Sequence, residues 1–244
     1  MCRILALETT EKNATVAVWE KNRILCEIRP EGRSAQTFAP AMQILLDQIG
    51  WKANDIQCIA VGVGPGSFTG LRVGITAAKM FAYATGAKII GVDTLLALAV
   101  AIKEGTKRVS VAVDAQRSEI VAQNFEIRSD GPVPFGPQRI IPIAKWWEFG
   151  KDGVEDAEAE KIIFSGPILR RIEKNVPVEI TLADRSFWEP QAISIAQIAA
   201  ARFHRNEFDD LWSLVPHYSR PSAAEERKEL GIAGDSDSLK AGCS

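Results

Sequence analysis

The stretch AVGVGPGSFTGLRVGITAAK, Ala60 to Lys79, begins as an apolar strand, breaks into glycines and resumes with helical spacing. Glycine-rich turns between a strand and a helix are where phosphate cradles form, so its reading decides between two kinds of fold. A Walker A loop requires G-x-x-x-x-G-K-[ST]; here five residues separate Gly64 from Gly70, and Leu71 stands in the lysine's place. The dinucleotide fingerprint G-x-G-x-x-G fails as well, because after Gly64 and Gly66 the third glycine arrives one position late. What remains is a helix carrying Gly70, Gly74, Ala77 and Ala78 along one stripe, flanked by Leu71, Ile75 and Phe81. A glycine inside a helix costs roughly 1 kcal/mol relative to alanine, so two of them imply close approach by another element. That element is either part of the same domain or a second chain. Ser67 and Thr69, at the helix start, read as capping residues.

Working outward, Ile4 to Thr10 reads as a buried strand, and Ala14 to Glu20 and Arg23 to Ile28 as a pair joined by a turn at Lys21-Asn22. Ser34 to Ile49 follows as a helix with Ser34 as N-cap and Gly50 as stop; Phe38, Met42, Leu45, Leu46 and Ile49 lie on its apolar stripe. Cys58 to Val63 is a strand leading into the glycine turn and the helix Ser67 to Thr85, then come a strand at Ile89 to Val92 and a helix at Thr94 to Lys103. The second half starts the same way, with strands at Arg108 to Ala115 and Glu119 to Ile127. GPVPFGP reads as a link to a third strand at Gln138 to Ile143, with Trp146-Trp147 in a short helix whose rings belong to a core. Strand, helix, strand and helix are expected at Lys161 to Ser165, Ile168 to Asn175, Val178 to Leu182 and Pro190 to Arg205. The order predicts an α/β protein of two βββαβα-type halves: residues 1–104, residues 105–230 with the last helical segment returning to pack on the first half, and a polar, disordered tail over 231–244.

Both halves share one device: a strand ends at an acid, a polar turn follows, and a second strand returns. The acids are Glu8, in LALETTEKNATVAVW, and Asp114, in VAVDAQRSEIVAQNF. In sugar kinases, actin and Hsp70 chaperones, two such hairpins close on phosphates and magnesium from opposite domains. Glu8, Thr9, Thr10 and Asp114 are therefore weak candidates for binding a cofactor of that kind. The composition is that of a soluble globular protein: 46% hydrophobic, 25% charged, net charge −2. That balance argues against a chain that grips nucleic acid by itself, and Arg170, Arg171 and Lys174 read as a solvated helix face. The apolar runs are too short for a membrane span, and the start MCRILALETT has no leader pattern. The four scattered cysteines suit reduced thiols in a cytoplasmic protein, and the two histidines, His204 and His217, lack metal-site spacing.

The segments ILALETTEKNATVAVW, GVGPGSFTGLRVGITAAKMFA, IIGVDTLLALA and AVDAQRSEIV, in this order, resemble the TsaB (YeaZ) family. GPGSFTGLRVG is the most specific of these markers, and VPHYSRPSAAEE resembles the family's closing segment. The resemblance implies an actin-like (ASKHA, ribonuclease H-like) fold and a non-catalytic dimerisation subunit for threonylcarbamoyladenosine (t6A) formation in tRNA. It implies pairing with TsaD, the metal-binding transferase, together with the ATPase TsaE; ATP, ADP and metal would sit on those partners, with none of its own here. A homodimer in isolation and tRNA contact only through the complex are further expectations. The family's heterodimer forms through the helices corresponding to Ala35–Ile49 and Ser67–Ala84. This places Phe38, Met42, Leu45, Leu46, Ile49, Gly70, Leu71, Gly74, Ala77, Ala78 and Phe81 at the interface, and makes the glycines helix-shaping rather than phosphate-binding. Glu8 departs from the family's usual aspartate, which weakens magnesium binding there. The other reading is a stand-alone actin-like ATPase or phosphotransferase using Glu8 and Asp114.

Overall fold

A computed structural model describes residues 2–29, 35–102, 106–153 and 162–220, with side chains in the first helix from Phe38 onward. The expected N-cap Ser34, the half-to-half boundary at 104–105 and the tail 231–244 lie outside the described residues. The elements in chain order are β1 (Arg3–Glu8), β2 (Thr15–Glu20), β3 (Arg23–Ile28), α1 (Ala35–Gln48), β4 (Cys58–Gly64), α2 (Phe68–Thr85), β5 (Lys88–Asp93) and α3 (Thr94–Ala101). They continue with β6 (Arg108–Gln116), β7 (Glu119–Arg128), β8 (Gly131–Pro142), α4 (Trp146–Gly150), β9 (Ile162–Ser165), α5 (Leu169–Ile172), β10 (Thr181–Leu182) and α6 (Ala192–His204).

Two five-stranded sheets result, ordered β3-β2-β1-β4-β5 and β8-β7-β6-β9-β10. The orders are equivalent: an antiparallel three-strand meander, then two parallel strands on the side of its first member. Two of the tight hairpin turns have both residues at positive φ, Lys21 (54°) and Asn22 (59°) between β2 and β3, and Arg117 (51°) and Ser118 (61°), preceded by Gln116 (64°), between β6 and β7. Such turns match the right-handed twist of the strands they join.

The central strand β1 is buried on both faces, and its alternation divides two cores. Leu5 and Leu7 face the layer containing Phe38, Leu45, Ile75 and Ala78 of α1 and α2. Ile4 and Ala6 face Ala192, Ile195, Ala196 and Ala199 of α6. Thus α6, which follows the second sheet in sequence, covers the first. Its start is capped from there, Ala192 N donating to Thr15 Oγ1 at 2.7 Å. Conversely, Leu95 and Leu98 of α3 pack into the core of the second sheet, with Phe125, Trp146 and Phe164. The halves exchange one helix each.

Three expectations need correction. GPVPFGP is the first part of β8, not a link; β8 is an edge strand, where a proline's missing N–H leaves no gap in the ladder. The strand expected at Val178–Leu182 shortens to Thr181–Leu182, since Val178 is fully exposed and has nothing to pair with. The helix expected at Ile168–Asn175 is α5 followed by a 3-10 turn at Glu173–Asn175. The Trp146 ring is fully buried, its Nε1 donating to Ser110 Oγ at 3.0 Å, in keeping with a core role.

Candidate functional site

The glycine turn and the first turns of α2 close on the β1–β2 turn of the same chain. Ser67 N donates to Thr10 O at 2.7 Å, and Thr9 Oγ1 donates to Gly70 O at 2.7 Å. A Cβ on Gly66 would sit 2.6 Å from Thr10 Cβ; one on Gly70 would strike the Thr9 carbonyl, and one on Gly74 the Thr9 side chain. The glycines are therefore required because Thr9 and Thr10, by main chain and side chain, press against the turn and the helix. Ser67 caps α2, its Oγ accepting from Gly70 N, and Gly86 closes the helix at φ 75°.

Part of the set expected at the interface is packed inside the chain itself. Phe38, Leu45, Leu46, Leu71, Gly74 and Ala78 are buried within the chain. Met42, Ile49, Gly70, Ala77 and Phe81 are partly buried. The outward surface belongs largely to residues the sequence reading passed over. Ile44 on α1 is 53% exposed and Met80 on α2 is 68% exposed. Val73, Ala77, Met80 and Ala84 form one outward ridge, spaced i, i+4, i+7, i+11, opposite the buried Leu71, Ile75, Ala78 and Ala82. The signal was present in that second stripe: Val73 and Ala77 are half-buried against the core, while Met80 and Ala84 are exposed.

Between the two β-turn regions lies a cavity of about 650 Å³, walled by Thr10, Glu11, Ser67, Phe68, Asp114, Arg117 and Tyr218–Arg220 among others. Glu8 lies in the layer behind: a Cβ on Gly62 would meet its Oε2, while Oε1 accepts from Thr10 N at 2.5 Å. Burial pushes the Glu8 carboxyl up to about 7, hydrogen bonds from Thr10 and Thr9 offsetting only part, and its Oε2 has no hydrogen-bond partner. Glu11 is pushed up to about 8, by burial first and then by the nearby Glu8, Glu189 and Asp114, with Arg170 opposing. Asp114 is occupied on both oxygens, Oδ1 accepting from Gln116 N at 2.8 Å and Oδ2 pairing with Arg171 at 2.9 Å. Arg170 likewise pairs with Glu189 at 2.9 Å.

Magnesium bound to a nucleotide needs ionised oxygens open to the cleft. Here Glu8 is sealed in the layer behind the cavity with its carboxyl pushed up by burial, and Asp114 is tied to an arginine. Among the described residues no group of three or more His, Cys, Asp or Glu side chains could hold a metal ion. The residues do not fit that group, and Thr9 and Thr10 serve as packing and hydrogen-bonding partners of α2.

A family model described as "TsaD: tRNA N6-adenosine threonylcarbamoyltransferase" matches residues 30–242. The chain is 35% identical over 133 residues to "tRNA threonylcarbamoyladenosine biosynthesis protein TsaB" of Escherichia coli K12. The chain belongs to this family, on its TsaB (YeaZ) branch. The match to the E. coli protein covers 53% of this TsaB-family chain and 57% of the relative, so it spans little more than half of that protein. The Bacillus subtilis protein of the same name aligns over 229 residues at 25% identity, 92% of this chain and 96% of the relative. The crystal structure titled "YeaZ from Pseudomonas aeruginosa" superposes with a TM-score of 0.75 at 25% identity, covering 89% of this chain and all of that one. The actin-like fold of two halves is that of the TsaB branch. No helix among the described residues is long and apolar enough to cross a membrane.

Proposed function

We propose that this chain is an accessory subunit in the formation of t6A in tRNA, making no bond with its own side chains, and that it docks a TsaD-type transferase through the outward faces of α1 and α2. The observation that carries this reading is the pair Ile44 and Met80, exposed at 53% and 68% on adjacent helices whose other faces are fully committed to the core. An apolar ridge left outside a well-packed core marks a protein–protein surface. Relatives named for t6A biosynthesis supply the kind of assembly. TsaE as a further partner, ATP, ADP and metal on the partners, tRNA met through the complex, and a cytoplasmic location complete the reading. The ATPase alternative is the less favoured reading, since Glu8 is buried behind the cavity and Asp114 is paired with Arg171.

The test mixes the purified chain with a TsaD-type transferase and measures complex formation by size-exclusion chromatography with light scattering. Ile44→Arg and Met80→Glu, alone and together, are expected to leave the chain folded and to abolish the complex, because a charge at the centre of an apolar contact is desolvated without a partner. An unchanged complex with the double variant overturns the docking face. Threonylcarbamoylation of tRNA by this chain alone overturns the accessory role.

A further inference from the structure

After α6 the chain turns back, and residues 205–220 cross the first half before reaching the second. Asp209 bridges to Ile89 on the edge of β5, donating its N–H to Ile89 O at 3.0 Å and accepting Gly91 N on its carboxylate at 2.7 Å. Gly91 admits this passage: a Cβ there would lie 2.7 Å from Leu214 Cδ1. Farther along, His217 N donates to Val63 O at 2.7 Å, and Gly64, at φ +110°, leaves room for the His217 carbonyl. Tyr218 stacks on Phe68, ring centroids 4.8 Å apart, and its hydroxyl accepts from Arg72 Nε at 2.9 Å. Two residues on, Arg220 forms an ion pair with Glu119 at the start of β7, both side chains two-thirds or more buried. Tyr218, Ser219 and Arg220 all line the cavity between the halves.

We propose that Tyr218–Arg220 is a clasp across the cleft mouth, which fixes the cleft's opening and ties it to the first turn of α2. One end grips Phe68 and Arg72 on α2; the other grips Glu119 on the second sheet. A single residue lies between the two anchoring side chains, and a chain reaches at most about 3.6 Å per residue, so the backbone between them is short. Separation of the halves at this point requires one anchor to let go. Disturbance of the first turn of α2 pulls on the same three residues. Coupling of this kind is established only by perturbing both anchors.

The experiment uses the full chain with nitroxide labels at exposed positions Thr76 on α2 and Asp130 in the β7–β8 turn, in a background with Cys26 and Cys243 changed to serine. Pulsed EPR reads the distance between the labels, and hydrogen exchange reads the amides of Phe68–Arg72. Arg220→Glu and Glu119→Arg are each expected to add a longer component to the distance distribution and to speed exchange at Phe68–Arg72 severalfold. The double reversal, Glu119→Arg with Arg220→Glu, is expected to restore both, with urea midpoints confirming that every variant is folded. Distances unchanged in the single reversals overturn the clasp, as does a folded double reversal that restores neither reading. Faster exchange with no change in distance also overturns it, since the strap would then be a local cover for α2.

Discussion

Replacing Gly74 by alanine puts a methyl group into space held by the Thr9 side chain, whose Cβ would lie 3.2 Å away and whose Oγ1 and Cγ2 would be nearer. In an unhindered helix the same change stabilises by about 1 kcal/mol. Here the backbone of α2 is clamped by the Ser67–Thr10 and Thr9–Gly70 hydrogen bonds, so the collision is relieved only by moving one element. Overpacking of this kind costs roughly 1–3 kcal/mol, and loss of the Thr9 hydrogen bond adds about 1 kcal/mol. Set against the helix gain, the expected net loss is roughly 1–3 kcal/mol, a fall in Tm of some 2–12 °C for a domain of this size, taking about 2–4 °C per kcal/mol. Urea denaturation followed by circular dichroism measures it. Thr9→Ala removes the Oγ1 and Cγ2 atoms in the way, so the double variant should recover a large part of the loss, giving a coupling of about 1 kcal/mol or more. Gly70→Ala offers a contrast: its methyl meets the Thr9 carbonyl, and no side-chain change at Thr9 relieves that. Stabilisation by Gly74→Ala alone would refute this account and return the small-residue stripe to a partner.

Two further outcomes follow from buried polar groups. Glu8, raised from about 4.5 to about 7, binds its proton more tightly in the folded chain than in the unfolded one. Its contribution is thus present at low pH and lost as pH rises from about 4.5 through about 7, at most roughly 3 kcal/mol; Glu8→Gln should flatten that part of a stability–pH profile. Thr15→Val leaves the buried Ala192 N–H at the start of α6 without its acceptor and should cost about 1–3 kcal/mol in urea denaturation, with the largest rise in hydrogen exchange at Ala192–Ile195.

Much of the architecture was readable because it is set locally. The apolar run before Glu8, the Lys21-Asn22 turn and the Ser67 cap each act within a few residues, and the repeated order of elements carried the two-half reading. The glycine stripe was readable as a close contact but not as a contact with Thr9, which lies 61 positions from Gly70. The spacing of α2 shows two apolar stripes without saying which one meets the sheet, so the reading named the stripe that is buried and passed over the exposed Ile44 and Met80. The first part of β8 looked like a linker because its prolines fit a strand only at a sheet edge, a position known once the order of strands is known. The strap over 205–220 has neither helical nor alternating periodicity. Its trace in the sequence is indirect, in Gly64 and Gly91, small residues whose neighbours come from the far end of the chain.

The prolines of β8 at positions 132, 134, 137 and 142 also bear on what the molecule can be templated by. A foreign chain seeking to extend the second sheet finds amide hydrogens missing along one border and a two-residue strand at the other, while Asp209 already occupies the β5 border of the first sheet. Among the described strands, β3 alone offers a border of ordinary length for fibril-like growth. Crowded storage or heat stress should therefore seed aggregation through Arg23–Ile28, and a lysine in place of Leu25 is the change that would blunt it.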